Sequence, residues 1–365
     1  MLWSPKGGPK MKIAVGMDLH ARKTTAFAVP ANASIDIGTD EHTFLYGFNR
    51  EFSSFPSDEE GMSAMVSYLR SHEAHILVEN SSKTHEIYWM LTDRGMDVTV
   101  AFAADLYRIT KSKKKTDRHD AIELAGYMRR KLNGEIEFRT SFMPNREWLM
   151  RRELCRTLYD ESSMLSDTRR QIRSHMLLHG IAFQTSDIVG AAAMKFLSSL
   201  GDPVLNSLVA RAADSKKRMR NLEKDILRLF GDEILYRRLR TILGVGPVIA
   251  AYIAGMTIDI GRFDNAGEFS AFFGLVPGMR ESAGSSPHCH ITRRGDDIAR
   301  EMIFQATLVH IKNDPDDGSG VTRAFRRLHG DGKRMPYKKA MTAAARKMAE
   351  VMFAVMKSGR PYERR

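Results

Sequence analysis

Short apolar runs dominate the N-terminal part of the chain. Residues 12–18 form an almost wholly apolar run that ends on Asp18, which is typical of a buried strand. Residues 24–29 predict its antiparallel return after a turn at 19–23. Residues 57–60, Ser-Asp-Glu-Glu, have the spacing of a capping box, and the apolar residues after them recur at helical intervals. The pattern predicts a hairpin followed by a helix.

Two further β-branched runs, at 75–79 and 97–102, flank a helical pattern at 84–94. Strands that alternate with helices in this way are typical of a mixed α/β sheet. The first domain, residues 11–135, is therefore predicted to be α/β.

Beyond residue 143 the pattern becomes helical. Residues 148–178 and 205–229 carry apolar positions at three- and four-residue steps among many charges, which predicts a helical hairpin over a domain at 143–235. A mainly α domain is expected at 236–365, closed by an amphipathic helix with a basic face at 336–356.

Paired glycines stand between two apolar helical segments near the start of this last domain. Gly244 and Gly246 resemble the turn of a helix-hairpin-helix element, whose backbone N–H groups hold a nucleic-acid phosphate without reading sequence. A tight helix connection that needs glycine for its positive φ explains the same residues. The two interpretations have equal weight at the sequence level.

Charge points to a polyanionic partner. Lys and Arg number 56 against 44 Asp and Glu, a formal net charge of +12, which favours nucleic acid. The two cysteines, Cys155 and Cys289, are too few and too far apart for a disulfide framework or a thiolate metal cluster. The apolar runs are short and the N-terminus lacks a signal-peptide core, so we expect a cytoplasmic protein with no membrane partner.

Four acids occupy positions that suit phosphodiester chemistry. Asp18 and Glu79 each end a predicted strand, while Asp117 and Asp120 lie three residues apart where a helix begins. Such a cluster holds two Mg²⁺ ions about 3.5–4 Å apart. The hard oxygen ligands that Mg²⁺ prefers are supplied by Asp and Glu, and we expect no His or Cys among them. Each acid alone also fits a helix cap or an exposed strand end.

A basic run leads directly into the last two acids. We interpret its cations as nucleic-acid contacts that bring a polyanion to the carboxylates; they are Lys111, Lys113, Lys114, Lys115 and, between the acids, Arg118. The alternative is a solvated loop, as most charge runs are.

Five motifs occur in order along the chain: Gly16-Met-Asp18-Leu-His, Val78-Glu79, Lys115-Thr-Asp117-Arg-His-Asp120-Ala, Phe273-Gly-Leu-Val-Pro-Gly278 and Ile291-Thr-Arg-Arg-Gly-Asp296. Together they resemble the DEDD transposases of insertion sequences, the family that includes the Piv and MooV invertases. The resemblance extends from about residue 11 to 360. It implies an RNase H-like (RuvC-like) domain that holds two Mg²⁺ ions, a coiled-coil linker and a serine-containing domain. It also implies a homo-oligomer, dimer or tetramer, that acts on double-stranded DNA with a structured noncoding guide RNA.

The resemblance further implies a serine nucleophile shortly after Gly-Leu-x-Pro, which joins the DNA phosphate covalently. Counting back from Ile291 assigns this role to Ser282, although alanine follows it where the family has glycine. Ser285 and Ser286 are alternatives, and a turn serine is a third interpretation. Around the serine, we expect Arg280, Arg293 and Arg294 to bind phosphate. We do not expect His288 and His290 to bind zinc, because no partner pair with structural-site spacing is present.

Three functions are compatible with these features. The first is a DNA transposase or site-specific recombinase that uses the DEDD acids and the serine. The second is a purely metal-dependent, structure-specific nuclease such as a junction resolvase, with the serine inert. The third is a non-enzymatic RNA-binding scaffold built on a degenerate RNase H fold.

Overall fold

A computed structural model describes residues 11–32, 51–102, 117–278, 291–292, 295–330 and 335–363, with only the backbone at 51–53. The chain divides into two compact units, Met1–Met143 and Pro144–Arg365. The division coincides with the change from α/β to helical patterning. A further boundary near residue 235 stays a prediction.

The first unit contains a five-stranded mixed sheet. Its strands are β1 (Lys12–Leu19), β2 (Lys23–Pro30), β3 (Glu51–Pro56), β4 (Glu73–Glu79) and β5 (Asp97–Ala101). Their order in the sheet is β3-β2-β1-β4-β5. The β1–β2 and β2–β3 pairs are antiparallel, whereas β1–β4 and β4–β5 are parallel. This confirms the predicted hairpin and mixed sheet, and the topology is compatible with an RNase H-like fold.

Helices cover both faces of this sheet. On one face, α1 (Glu59–Leu69) and α2 (Thr84–Thr92) pack against Val15 and Met17. On the other face, α3 (Asp117–Leu132) packs against residues that include Ala14 and Leu77. Because side chains alternate along a strand, even-numbered β1 residues and odd-numbered β4 residues lie on the α3 face.

The start of α1 differs from the predicted capping box. Asp58, not Ser57, is the N-cap, and its Oδ1 accepts the Gly61 N–H at 2.9 Å. Ser57 directly follows β3, where strand pairing still constrains it, and its hydroxyl hydrogen-bonds with Thr24 Oγ1 at 2.8 Å. The N-cap therefore lies one residue later in the chain than the sequence pattern predicts.

The described part of the second unit is mainly helical. Its α-helices are α4 (Arg146–Leu178), α5 (Ala191–Ser199), α6 (Pro203–Phe230), α7 (Ile234–Leu239), α8 (Pro247–Thr257), α9 (Ala266–Phe272), α10 (Asp297–Lys312), α11 (Gly320–His329) and α12 (Tyr337–Ser358).

The predicted helical hairpin is confirmed, since α4 and α6 pack against each other along their lengths. Its outer half has its own core, which includes Leu165, Ile172 and Leu205. Side-chain caps define both starts: Asn145 accepts the Trp148 N–H and Asp202 the Leu205 N–H, each at 2.9 Å. That the hairpin forms a coiled coil stays a prediction. In the described ranges, no helix combines the length and apolar character needed to cross a membrane.

Candidate metal centre

A glycine lets α3 rest directly on β1. A Cβ atom at Gly16 would lie 2.1 Å from the Ala121 carbonyl oxygen and 2.3 Å from the Ala125 backbone nitrogen, far inside van der Waals contact. Ala121 and Ala125 are fully buried and small, which keeps the helix close. The first turn of α3 is thereby brought over the end of β1.

Asp18, His20 and Asp117 meet at this point. Asp18 lies on the α3 face two residues beyond Gly16, and Asp117 is the first residue of α3. His20 Nε2 lies 2.9 Å from Asp18 Oδ2 and 3.3 Å from Asp117 Oδ1. One donor atom from each of the three side chains lies within 4.8 Å of the others. The cluster is open on one side, because the His20 and Asp117 side chains are 53% and 49% exposed.

Burial, more than the neighbouring acids, determines the pKa of Asp18. Burial raises the pKa of the Asp18 carboxyl, His20 lowers it, and the charges of Asp120 and Asp117 raise it. The net effect is a pKa above the ordinary value for aspartate. A cation bound by these carboxylates would stabilise their ionised forms, which offsets the cost of desolvation and the repulsion between them.

The other two predicted acids lie close to this cluster in the fold. Asp120 is one turn further along α3 and near enough for its charge to act on Asp18. Glu79 ends β4, and the parallel register pairs Met17 with Val78, so Glu79 is at the strand position beside Asp18 and on the same face. The side chain of Glu79 is exposed. Among the described side chains, the donor atoms that lie within 4.8 Å of one another belong to Asp18, His20 and Asp117, so this group does not include Glu79 or Asp120.

Two more polar groups surround the acids. Thr25 pairs with Asp18 across the hairpin, is 4% exposed, and its Oγ1 has no hydrogen-bond partner within the described ranges. Glu123 lies one turn beyond Asp120, with its Oε1 3.0 Å from His119 Nε2. Burial raises the pKa of Glu123, against the lowering effect of His119.

The donor set suits a divalent cation. Two carboxylates and one imidazole are ligands that such ions accept, and Asp18 with Asp117 supplies the hard oxygens that Mg²⁺ favours. The sequence-based expectation of oxygen ligands alone missed His20. Its position two residues after Asp18, within the motif Asp-Leu-His, is the signal that was available.

Other predicted site residues belong to segments that the structure does not describe. Lys111, Lys113, Lys114, Lys115, Arg280, Ser282, Ser285, Ser286, Arg293 and Arg294 lie outside the described residues. Arg118 is described, and its side chain is exposed on the first turn of α3. On either side of residues 279–290, Pro277 and Ile291 form an antiparallel bridge and the Thr292 N–H donates to the Val276 carbonyl at 2.9 Å.

The paired glycines between α7 and α8 have different structural environments. Gly244 has φ +89° and a Cβ there would lie 2.4 Å from the Ala306 carbonyl oxygen of α10. Next to it, His310 Nδ1 donates to the Leu243 carbonyl at 2.8 Å. Gly246 is the N-cap of α8, has φ −74°, and a Cβ there would meet open space. Packing alone therefore explains Gly244, whereas phosphate binding by the turn stays a prediction.

These environments predict losses of stability of different size when each glycine is replaced by alanine. We expect Gly244→Ala to lower the free energy of unfolding of the second unit by about 2–3 kcal/mol, from positive-φ strain and the backbone clash. Gly246→Ala should cost less than about 1 kcal/mol. Chemical denaturation of both variants beside the parent chain measures this, and equal losses would contradict the assignment of the close contact to Gly244.

Comparison with protein families finds two matches. A model described as "Transposase IS116/IS110/IS902 family" matches residues 236–319. The transposase model DEDD_Tnp_IS110 matches residues 33–181, a range that contains Glu79, Asp117 and Asp120 but begins after Asp18 and His20.

Individual relatives agree with these matches. A Sinorhizobium fredii protein with the transposase name y4qE is 21% identical over 335 residues, which cover 85% of this chain and 83% of the relative. The transposase for insertion sequence element IS1111A of Coxiella burnetii is 26% identical over 156 residues, 42% of this chain and 41% of the relative. The first similarity spans both units, whereas the second covers less than half of either chain.

Proposed function

We propose that this chain is a transposase of the IS110/IS116 type, as its family models and the names of its relatives indicate. It cleaves and rejoins double-stranded DNA with a metal centre on Asp18, Glu79, Asp117 and Asp120. The observation that carries the proposal is the Asp18–His20–Asp117 donor cluster at the end of β1, directly under the first turn of α3.

Each acid has a distinct part in this proposal. Asp18 and Asp117 hold one divalent cation from the strand end and the helix start, while Asp120 and Glu79 complete a site for a second on the same sheet face. When bound, two Mg²⁺ ions supply Lewis-acid stabilisation of the attacking and leaving oxygens. The exposed Arg118 beside these acids draws in and orients the phosphate.

The nucleophile we propose is Ser282. Its hydroxyl gives up a proton and Oγ forms a bond to the DNA phosphorus as the bond to the leaving deoxyribose oxygen breaks. That oxygen takes up a proton, so the step is balanced in atoms and charge. Because the phosphoserine ester keeps the energy of the broken bond, the strand can be rejoined to a new end without an external energy source. Arg280, Arg293 and Arg294 offset the charge that develops on the phosphate.

The proposal also includes the partners of the chain. We propose a homo-oligomer, dimer or tetramer, whose excess of Lys and Arg holds duplex DNA together with a structured guide RNA that pairs with target and donor. Sequence recognition then rests on base pairing.

Covalent trapping tests the serine. The parent chain, its divalent cation and end-labelled DNA should yield a protein–DNA adduct that survives denaturing electrophoresis. We expect Ser282→Ala to form no adduct and to cleave the strand at least about a hundredfold more slowly than the parent chain. Ser285→Ala and Ser286→Ala are matched controls that should retain both.

The trapping experiment also discriminates between functions. Unimpaired cleavage by Ser282→Ala would overturn the serine mechanism and favour the metal-dependent nuclease, since all four acids lie in the first unit. An adduct lost only in Ser285→Ala or Ser286→Ala would reassign the nucleophile. Guide-RNA binding that persists with no cleavage by the parent chain would favour the scaffold.

A further inference from the structure

We propose that His20 is itself a ligand of the divalent cation, which it would hold together with Asp18 and Asp117, and that the site binds Mn²⁺ more tightly than Mg²⁺. The inference rests on the proposed metal centre but goes beyond its four acids.

The distances fit neighbouring ligands of one ion. In an octahedral shell with metal–ligand bonds of about 2.0–2.2 Å, adjacent donor atoms lie about 3 Å apart. His20 Nε2 lies 2.9 Å from Asp18 Oδ2 and 3.3 Å from Asp117 Oδ1. The imidazole nitrogen thus has the separation from both carboxylates that shared coordination requires, while the exposed side of the cluster leaves room for water or phosphate oxygens.

The backbone holds His20 in this position. Its N–H donates to the Lys23 carbonyl at 3.1 Å, which closes the tight turn between β1 and β2. The close packing of α3 at Gly16 fixes Asp117 independently. The three donors therefore come from two separate elements, the β1–β2 hairpin and the start of α3.

A separate observation concerns the buried hydroxyl of Thr25, which lies beside Asp18. Thr25 is only 4% exposed, lies on the α3 face at the position paired with Asp18, and its hydroxyl has no hydrogen-bond partner within the described ranges. Buried hydroxyls rarely remain unpaired. Water held by a cation at Asp18 is the kind of partner it would have.

Imidazole changes the ion that the site prefers. Mg²⁺ takes oxygen ligands and gives up its water reluctantly. Mn²⁺ also suits carboxylate and water ligands, but as a first-row transition ion it accepts an imidazole nitrogen more readily than Mg²⁺ does. One histidine among two carboxylates should therefore strengthen Mn²⁺ binding while adding little for Mg²⁺. The competing explanation is that His20 is only a counter-ion of the two acids, which a metal ion would displace.

Calorimetric titration of the full chain with Mn²⁺ and with Mg²⁺ separates these explanations. We expect His20→Gln to weaken Mn²⁺ binding about 10–100-fold, as loss of a ligand or its orienting partner does, with less than about a threefold change for Mg²⁺. The matched control is His119→Gln, which removes another imidazole near the acids and should leave both affinities nearly unchanged. Unchanged or tighter Mn²⁺ binding by His20→Gln would overturn the proposal and support the counter-ion explanation.

Pulsed electron paramagnetic resonance of bound Mn²⁺ provides a direct readout on the parent chain, independent of whether any variant folds. We expect nitrogen modulation from a coordinated imidazole, lost in His20→Gln and retained in His119→Gln. Binding of Mn²⁺ without that modulation would overturn the His20 assignment alone. If neither ion bound the parent chain, the metal centre of the proposed function would fail as well.

Discussion

Gly16→Ala is expected to lower the free energy of unfolding of the first unit by about 3 kcal/mol or more. The added methyl group would overlap the Ala121 carbonyl oxygen and the Ala125 backbone nitrogen, which belong to a helix backbone and cannot rotate away. To relieve the overlap, α3 must move off β1 and carry Asp117 and Asp120 away from Asp18. Divalent-cation affinity should therefore fall with stability. Urea denaturation and metal titration of the same variant measure both effects.

Gly134→Ala is the matched control for this prediction. Gly134 follows the end of the same helix, with φ +70°, and a Cβ atom there would have no neighbouring atom within 4 Å. We expect a cost of about 1 kcal/mol from the left-handed backbone and no effect on metal affinity. If Gly16→Ala cost no more than Gly134→Ala, the close approach of α3 to β1 would be wrong.

Periodic patterns predicted most of the fold correctly. The hairpin, the parallel strands and the two long helices were identifiable from their apolar residues. These form continuous runs in the strands and recur at three- and four-residue steps in the helices. Strand β3 was missed, since Glu51–Pro56 is short, contains two serines and ends in proline. It is an edge strand that pairs only with β2 in the described sheet, so pairing rather than its own pattern defines it.

The candidate site was predictable in part for a related reason. Asp18 is conspicuous because a charge ends an apolar strand, and Asp117 with Asp120 because they open a helix. The contribution of His20 depends on a turn that folds it back between two acids, and that of Gly16 on contact with a helix about a hundred residues away in the chain. Such contacts arise from tertiary structure and leave no local pattern.

The glycine pair illustrates the same limit. From sequence, Gly244 and Gly246 were equivalent members of one motif, with phosphate binding and backbone geometry as equal explanations. In the structure only Gly244 has a positive φ and touches the backbone of α10. Distinguishing them required the position of a helix that begins at Asp297.

Asp18→Asn is expected to separate stability from activity. Burial and the neighbouring acids raise the pKa of Asp18, so the ionised carboxylate is less favourable in the folded chain than in the unfolded one. By linkage, this destabilisation is absent at pH values below the unfolded pKa, develops as pH rises from the unfolded to the folded pKa, and is complete above the folded pKa. A neutral amide of the same shape should therefore leave the free energy of unfolding at neutral pH unchanged or slightly higher.

Strand cleavage should respond in the opposite direction. Loss of one carboxylate from the metal centre removes several kcal/mol of transition-state stabilisation, which corresponds to about a thousandfold slower cleavage. The control is Glu137→Gln, which removes a carboxylate that is 83% exposed and paired with Lys131 at 3.4 Å, beyond the C-terminal end of the helix that Asp117 begins. Cleavage assays with labelled DNA, run beside thermal denaturation of both variants, measure the two effects. A fully active Asp18→Asn chain would show that the proposed function does not need this metal centre. An inactive and unfolded chain would show that the carboxylate stabilises the fold, which contradicts the upward shift of its pKa.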